Sequence, residues 1–385
     1  MPKWDTSQPP PATSTRPWRR RRLLRAGLAG AALAATRAPL AQPALTRVLR
    51  KISIGYGVRT VDSAADGFFS SIPIGLGFFA EEGLDVDILP MAGATPVIDL
   101  MANGKIQFTT HATAGLMTAV GRGIAMQGFI CQVPDYFTSI AVLKDGPIKR
   151  LEDLKGKIIG TNAVGATAVL PVRAALHKLG WNPDTDVQYL AVGTGLPALD
   201  AIRRDRVQAI VAWDSIFAQF EYFGAEFRYF RPDPIPQLGF THASNTMVET
   251  MEKDPALVAG MCRALLKSVV VIAAAEPDEL TRLHFKLYPA ARPSSLSDEE
   301  VLRFDTLRLR ARRQFMRLQQ RVFDRTERIG DVPDESIASL RDLLAAGGEI
   351  PVPLPVERYF TRRFLAEADR LDIPALIAQA RAFRA

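Results

Sequence analysis

The sequence predicts an α/β protein with two lobes and a helical C-terminal tail, and three observations support this fold class. From Lys51 onward, short apolar runs alternate with stretches of helical length, which is typical of strands joined through helices in a mostly parallel sheet. The alternation starts again after Tyr136, so we expect a second unit of the same kind. From Met247 onward the pattern is mostly helical. A chain of 385 residues is long enough for two such lobes on either side of a cleft.

Turn and cap residues limit the elements of the first unit. Gly83 follows a helical stretch and precedes a run in which apolar and acidic residues alternate, as in a strand. Thr95 is the expected cap of the next helix, with Pro96 at its first position and Asn103 at its end. The predicted strands are 51–57, 84–90, 106–110 and 124–133, and the predicted helices are 68–82, 95–103 and 112–122.

The second unit repeats this order after Gly146 and Pro147 interrupt the chain. Apolar residues at helical spacing, followed by Gly180, predict a helix over 166–179. Three prolines between 232 and 236 indicate the exit from this unit, and Asp254 followed by Pro255 predicts the start of a long helix. Residues 151–161 are predicted to form a short helical turn and then a strand. The other predicted elements are strands at 136–145, 186–191, 207–212 and near 227, and helices at 196–204 and after 214.

The first 44 residues have the composition of a bacterial export signal. Four consecutive arginines begin at Arg19, and a ten-residue stretch of Gly, Ala and Leu begins at Ala26. The order Arg20-Arg21-x-Leu23-Leu24-Arg25 resembles the twin-arginine pattern. We therefore expect an exported protein that acts in the periplasm after signal cleavage; a disordered basic tail is the alternative. No cysteine follows the apolar stretch, so a lipoprotein anchor is not expected.

The net charge of +7 belongs to this leading segment. Residues 1–41 contain eight Lys or Arg and one Asp, so the remaining chain has 40 basic and 40 acidic residues. Such a balance argues against nucleic acid as a partner, since a binding surface for it needs an excess of cations. The apolar stretch 257–275 contains Arg263 and Lys267 and is interpreted as a buried helix, not as a membrane span.

No catalytic or metal-binding constellation is found in the sequence. There is no Gly-x-Ser-x-Gly elbow or phosphate-binding loop, and the four histidines have no metal-ligand spacing, so no cofactor or metal is expected. Cys131 and Cys262 lie among apolar residues and are expected to be buried thiols, with a disulfide as the alternative. The sequence therefore predicts a binding function.

The candidate binding residues lie where strands end and helices begin. In open parallel sheets, ligands bind outside the carboxyl ends of the strands, where hydroxyls and helix N–H groups suit an anion or a carboxylate. Helix caps and core packing are the alternative roles for the same residue types. The first unit contributes Thr109, Thr110, His111 and Thr113, the second unit contributes Asn162, Gly165, Thr167, Trp213 and Asp214, and the loop after the first strand contributes Tyr56 and Arg59.

Roles can be suggested for two of these residues. The indole of Trp213 offers a face on which a ligand can stack. Arg59 is the candidate partner of an acidic ligand group, although a solvated Arg59 is the alternative.

Several segments together resemble the periplasmic solute-binding proteins of ABC importers for nitrate, sulfonates and taurine, the SsuA/THI5-like family. This fold group includes relatives of the yeast thiamine-pyrimidine synthase. The order of the segments, more than any single one, carries the resemblance. They are IPIGLGFFAEEGLDVDI from Ile72, LMANGKIQFTT from Leu100, GPIKRLEDLKGKIIGT from Gly146 and RRDRVQAIVAWDSIFA from Arg203.

The resemblance implies a type II periplasmic-binding-protein fold that closes about a hinge over a small, anionic organic solute of the sulfonate, nitrate, taurine or carboxylate class. One lobe is expected from residues 45–140 plus 241–385 and the other from 141–240. The implied partners are the permease and ATPase subunits of an importer, with the membrane reached only through the permease, and the protein is expected to be a monomer. A periplasmic ligand sensor is a further alternative.

Two departures from the family pattern qualify these expectations. The segment 303–328 contains nine arginines and is predicted to form amphipathic surface helices. A pyrimidine-related enzyme is the alternative function, but the resemblance implies a cysteine-rich cluster for that chemistry, whereas this chain has two isolated cysteines. We therefore expect a binding protein, not an enzyme.

Overall fold

The computed structural model describes residues 48–163 and 166–385. The predicted export signal lies outside these residues, as does Gly165, and Thr167 is described by its backbone alone. Ten strands are present in the described residues: β1 (Arg50–Tyr56), β2 (Leu84–Pro90), β3 (Phe108–Ala112), β4 (Met126–Asp135), β5 (Ser139–Leu143), β6 (Ile158–Thr161), β7 (Gln188–Ala191), β8 (Ala209–Ala212), β9 (Phe227–Phe230) and β10 (Gly239–Met247).

The strands form two five-stranded sheets, which confirms the predicted arrangement of two α/β units. The first sheet has the order β2-β1-β3-β10-β4, and the second has the order β7-β6-β8-β5-β9. Both sheets are mixed, because β10 is antiparallel to β3 and β4, and β5 is antiparallel to β8 and β9. The expectation of mostly parallel sheets therefore needs this correction. The proposed residue limits of the two lobes stay a prediction.

The chain crosses between the two sheets twice. It leaves β4 and enters β5 through residues 136–138, and it returns from β9 to β10 through residues 231–238. Strand β10 was not predicted, because its sequence GFTHASNTM lacks an apolar alternation. Its polar side chains are nevertheless buried and hydrogen-bonded: Ser244 accepts a hydrogen bond from Gln132, and Thr246 donates one to the carbonyl of Gln107.

Helices surround the sheets and form the C-terminal part of the chain. Gly77, with a φ of +76°, interrupts the predicted helix 68–82, and α4 begins one residue before Thr95 because Gly93 is its N-cap. The helices are α1 (Ser63–Asp66), α2 (Ser71–Gly75), α3 (Phe78–Glu81), α4 (Ala94–Ala102), α5 (Thr113–Gly121), α6 (Leu170–Lys178), α7 (Leu196–Arg203), α8 (Asp214–Tyr222), α9 (Val248–Lys253), α10 (Pro255–Ala274), α11 (Pro277–Leu287), α12 (Asp298–Phe315), α13 (Asp334–Ala346) and α14 (Ile373–Ala382).

Helix α10 is the central helix of the C-terminal part. It is the one helix of the described residues that is long and apolar enough to cross a membrane, and 72% of its apolar stretch is buried inside the protein. Asp254 caps it by accepting a hydrogen bond from the Leu257 N–H. Its packing agrees with the predicted buried helix. Cys131 and Cys262 are both buried and free.

The arginine-rich segment differs from its prediction. It contains α12 and a π-helix, Gln319–Phe323, but three of its arginines are buried in the protein and not displayed on a surface face: Arg308, Arg312 and Arg321 are 4%, 2% and 2% exposed. Buried arginines are rare unless they are paired. Each of these three lies within ion-pair distance of a carboxylate.

Helix α12 packs against α8, which follows strand β8 of the second sheet. The buried ring of Phe304 lies 5.4 Å from the ring of Tyr222 and 5.9 Å from that of Phe223, between ring centroids. On the same helix, Leu307 is exposed. Phe304 therefore fixes the C-terminal part of the chain to the second sheet's helices.

We predict that Phe304→Ala lowers the free energy of unfolding by about 3–5 kcal/mol, since it removes a buried aromatic side chain and leaves a cavity. Leu307→Ala on the same helix is the control and is expected to change the free energy by less than about 0.5 kcal/mol. Urea denaturation of both variants measures these values. Equal losses in the two variants would show that α12 does not depend on this contact.

Candidate functional site

A cavity lies where strands of both sheets end. The first sheet contributes residues that follow β1 and β3, including Val58 and Ala114. The second sheet contributes Asn162 after β6 and Trp213 after β8. Since β1 and β3 are parallel neighbours, as are β6 and β8, the carboxyl ends of both pairs face this cavity. This cavity therefore lies at the strand ends, where the sequence predicts a binding site; its role as that site stays a prediction.

Aromatic side chains form much of the cavity wall. Tyr56 and Trp213 come from the two strand ends, and Tyr136 and Phe137 come from the first crossover between the sheets. Tyr56, Tyr136 and Phe137 are buried, and Trp213 is half-buried. Rings in this arrangement favour an organic ligand body that can stack or pack on them.

A buried carboxyl group, that of Asp66, also lines the cavity. Its Oδ1 accepts a hydrogen bond of 2.7 Å from the Tyr56 hydroxyl, and its Oδ2 accepts one of 2.7 Å from the Asp62 N–H. Burial and the nearby Asp62 carboxylate raise the pKa of Asp66 to about 7, against the effect of these hydrogen bonds. Burial and the Asp66 charge likewise raise the pKa of Tyr56 well above its usual value, so Tyr56 is a hydrogen-bond donor.

Two buried histidines face the same space. His111 Nδ1 lies 2.9 Å from Thr109 Oγ1, and its Nε2 has no hydrogen-bond partner within residues 48–163 and 166–385. Burial lowers the pKa of His111 to about 4, and it lowers that of His242 well below the usual value. Both rings are therefore neutral near pH 7, so each has one donor and one acceptor nitrogen.

The N-termini of two helices also reach the cavity wall. Gly93 and Ala94 lie at the start of α4, and Ala112 and Thr113 lie at the start of α5. Neither helix has a side-chain cap. A helix N-terminus carries a partial positive charge and N–H donors, so these two ends can accommodate a negatively charged ligand group.

The guanidinium group of Arg312 forms another part of the wall. It lies 4.3 Å from the centre of the Phe137 ring, and its Nη2 lies 2.8 Å from Asp214 Oδ1. One turn earlier on α12, Arg308 is buried between Asp62 and Asp305 and donates to the Ser215 carbonyl. Helix α12 therefore connects the loop after β1, the start of α8 and the cavity.

The structure brings five of the predicted site residues to the cavity: Tyr56, His111, Thr113, Asn162 and Trp213. The Thr113 hydroxyl is already used, since it donates to the Phe240 carbonyl.

Four other predicted residues are outside the cavity lining. Thr109 and Thr110 are buried within strand β3; Thr109 bonds to His111, and Thr110 Oγ1 lies 3.5 Å from His242 Nδ1. Asp214 lies behind Arg312 and pairs with it. Arg59 is exposed and does not line the cavity. The ligand-binding roles of all these residues stay proposals.

Sequence reasoning missed several polar residues of the cavity, among them Asp66, His242 and Arg312. His242 belongs to the unpredicted strand β10. Arg312 follows Phe304 and Arg308 at intervals of four residues, which places the three on one face of α12 but does not by itself show that this face is buried. Asp66 follows the helix cap Asp62 by one turn and carried no separate signal.

A second cleft adjoins the cavity. Five residues line both spaces and form the boundary between them: Tyr56, Val58, Ala65, Asp66 and Trp213. The cleft is lined further by Thr194 and Gln219 from the second sheet's side.

These features describe a protein built on two mixed α/β sheets with a cavity at the strand ends of both. The NMT1/THI5-like family model matches residues 74–280, more than half of the chain. The chain therefore belongs to the NMT1/THI5-like family. Helix α12 lies beyond the matched residues.

Curated relatives carry the name of one enzyme. The chain is 23% identical over 233 residues to the 4-amino-5-hydroxymethyl-2-methylpyrimidine phosphate synthase of Legionella pneumophila, covering 57% of this chain and 72% of that protein. It is 29% identical over 134 residues to a protein of the same name from Saccharomyces cerevisiae, covering 34% of this chain and 38% of the yeast protein. The latter match therefore spans well under half of the yeast protein.

Solved structures show the same fold at low sequence identity. A protein from Bordetella bronchiseptica RB50 has a TM-score of 0.64 at 19% identity, covering 83% of this chain and 97% of that one. The periplasmic nitrate-binding protein NrtA of Synechocystis PCC 6803 has 0.58 at 14%, covering 86% and 91%. The sulfonate-binding protein SsuA of Methylobacillus flagellatus KT has 0.55 at 16%, covering 84% and 95%. The periplasmic-binding-protein fold expected from the sequence is therefore confirmed.

We predict that Asp66 makes the protein less stable as the pH rises. Its folded pKa is raised, so its protonated form favours folding below about pH 4, and this contribution is lost as the pH rises to about 7. Asp66→Asn removes the titration, so its free energy of unfolding should change less over this range. Denaturation curves at several pH values measure the difference.

The exposed residue Asp99 supplies the control for this experiment. Asp99→Asn is the same substitution at the surface, so this variant should keep the loss of stability that Asp66 causes as the pH rises. A pH dependence in Asp66→Asn equal to that of the unchanged protein would show that Asp66 does not titrate as described.

Proposed function

We propose that this chain is the solute-binding component of an ABC importer and that it captures a small organic solute with an acidic group in the cavity between the two sheets. The observation that carries the proposal is the aromatic cavity at the strand ends of both sheets, into which two uncapped helix N-termini open. The fold of the nitrate-binding and sulfonate-binding proteins is consistent with this role.

The acidic group of the solute is expected at the start of α4 and α5. Helix N-termini bind anions through backbone N–H groups. His111 Nε2 is buried at the same wall, and in one tautomer it supplies a further donor. The attraction is local, because the chain after residue 41 has equal numbers of basic and acidic residues.

The walls of the cavity favour an organic solute over an inorganic anion such as nitrate. An inorganic ion would leave the half-buried ring of Trp213 without a ligand contact. An apolar or aromatic body would bury this ring further at a gain of about 25 cal/mol per Å² of apolar area. Sulfonates and carboxylates with such a body therefore fit better than nitrate.

Hinge closure follows from the position of the two crossovers. The ligand would contact both sheets, and the crossovers 136–138 and 231–238 connect them, so binding energy can be used to bring the lobes together. The closed form would be recognised by a permease with its ATPase. We propose that the protein acts in the periplasm as a monomer after its N-terminal signal is removed.

An enzyme related to the pyrimidine phosphate synthases is the second candidate function. Two observations favour it: the names of the curated relatives, and two buried histidines in the cavity. The thiols are poor candidates for chemistry, because burial raises the pKa of Cys131 to about 12 and neither cysteine lines the cavity. An enzyme would release a converted product, whereas a binding protein retains its solute unchanged.

Purification from the native periplasm, followed by mass spectrometry under native conditions, tests the proposal. We expect one unconverted small organic acid per chain, and small-angle scattering is expected to show a more compact particle with the solute than without it. A converted product, or a covalent change to a cavity histidine, would favour the enzyme. If no solute, retained or added, made the particle more compact, this result would contradict the binding role.

We predict that Trp213→Ala weakens binding of the retained solute by about tenfold or more, since an aromatic contact and its buried area are lost. Trp213→Phe keeps a ring at this position, so its loss of binding free energy should be less than half of the loss in Trp213→Ala. Titration calorimetry measures both affinities, and circular dichroism checks the fold. Equal affinity in all three proteins would place the solute away from Trp213.

A further inference from the structure

The cavity and its surroundings contain more buried carboxyl groups than cations. The cations are Arg308 and Arg312, both on α12, and both are almost completely buried. The carboxyl groups are Asp62, Asp66, Asp214 and Asp305, of which three are buried and Asp62 is partly exposed. Burying a charge without a partner is costly, so each of these carboxyl groups needs a cation, a proton or sufficient hydrogen bonds.

The ion pairs leave Asp66 without a cation. Arg308 lies between Asp62 and Asp305, with its Nη1 2.9 Å from Asp305 Oδ1. Arg312 pairs with Asp214. Within residues 48–163 and 166–385, no Lys, Arg or His nitrogen lies within 4.0 Å of the Asp66 carboxylate. The hydrogen bonds from Tyr56 and from the Asp62 N–H support the charge of Asp66 but do not neutralise it.

Asp66 nevertheless lies in the walls of two spaces that a ligand could enter. It lines the cavity, and it also lines the adjoining cleft together with Tyr56 and Trp213. A carboxylate has about four lone-pair sites, of which these two hydrogen bonds use two. The neighbouring rings offer their faces to a cation, which aromatic side chains attract.

A second, independent feature of this space points to a polar ligand. His111 is 4% exposed, lines the cavity and has its Nε2 without a partner in the described part of the chain. A buried polar atom without a partner costs about 1–3 kcal/mol, and a ligand can supply the missing hydrogen bond. Asp66 and His111 are thus two polar groups whose interactions are incomplete in the same cavity.

We propose that the solute carries a protonated amine or a comparable cationic nitrogen group that lies against Asp66 at the boundary between the cavity and the adjoining cleft. This inference rests on the proposed function and sharpens it. With its acidic group at the helix N-termini, the solute is a zwitterion and not a simple anion.

Binding of a cationic group at Asp66 would be coupled to the protonation of its carboxyl group. A carboxyl group with a raised pKa is partly protonated near neutral pH. An incoming ammonium group replaces the proton as the partner of the carboxylate, so binding should release part of a proton at pH 7. The groups that surround Asp66 are Asp62, Tyr56 and Arg312, and the neutral histidines His111 and His242 share the cavity.

Matched compounds that differ at one group test the inference. Phenylalanine, phenyllactate and phenethylamine share one body; the second lacks the cation and the third lacks the acid. Taurine, isethionate and ethylamine form the corresponding set with a small body. Titration calorimetry on the full chain, freed of retained solute, gives the affinity of each compound. Calorimetry in two buffers with different ionisation enthalpies gives the proton release.

In at least one set we expect the zwitterion to bind about tenfold or more tightly than its hydroxy acid. Asp66→Asn should reduce this preference to less than about twofold, whereas the surface variant Asp99→Asn should retain it. Circular dichroism confirms that Asp66→Asn is folded. The preference should increase as the pH rises through about 7, because Asp66 is then ionised before binding.

The outcomes separate this inference from the proposed function. If hydroxy acids bound as tightly as the zwitterions, the inference that the solute carries a cationic group would be overturned. The same result would support the capture of an organic acid. If amines without an acidic group bound as tightly as the zwitterions, the proposal that the solute carries an acidic group would be overturned. The inference of a cationic group at Asp66 would stand. Binding by no member of either set, or a retained solute without a basic nitrogen, would overturn the inference.

Discussion

The buried contacts of α12 connect the parts of this protein that form the cavity between the strand ends. Arg308 joins the loop after β1 to the start of α8, and Arg312 joins Asp214 to the cavity and to the Phe137 ring in the first crossover. Buried ion pairs add little net stability, because desolvation offsets most of the attraction, but removal of one partner leaves an uncompensated charge. These pairs therefore fix how the two sheets' strand ends face each other more than they stabilise the chain.

Charge within this network also determines what the cavity can hold. Two guanidinium groups and several buried carboxyl groups are divided into pairs that leave Asp66 with hydrogen bonds but no cation. The helix N-termini have the opposite effect, because they provide a positive potential at the start of α4 and α5. A neutral chain can thus present one wall that attracts an acid and another that attracts a base.

Much of the fold could be predicted from the sequence, because it depends on local patterns. Glycine and proline positions limited the elements, and β2 was predicted with its observed bounds, 84–90. Strand β10 could not be predicted, since its polar side chains are satisfied by distant partners such as Gln107 and Gln132. The site was predicted at the strand ends, where Trp213 and His111 lie, but Asp66 and Arg312 depend on the tertiary packing of α12 and α1. Sequence spacing alone does not show which of many arginines is buried.

The crystal structure of the protein purified with its native solute tests the central claim most directly. We expect electron density for one small organic molecule in the cavity, in contact with His111, Asp66 and Trp213, with its acidic group at the start of α4 or α5. A solute bound elsewhere, or one whose acidic group points away from both helices, would contradict this binding mode.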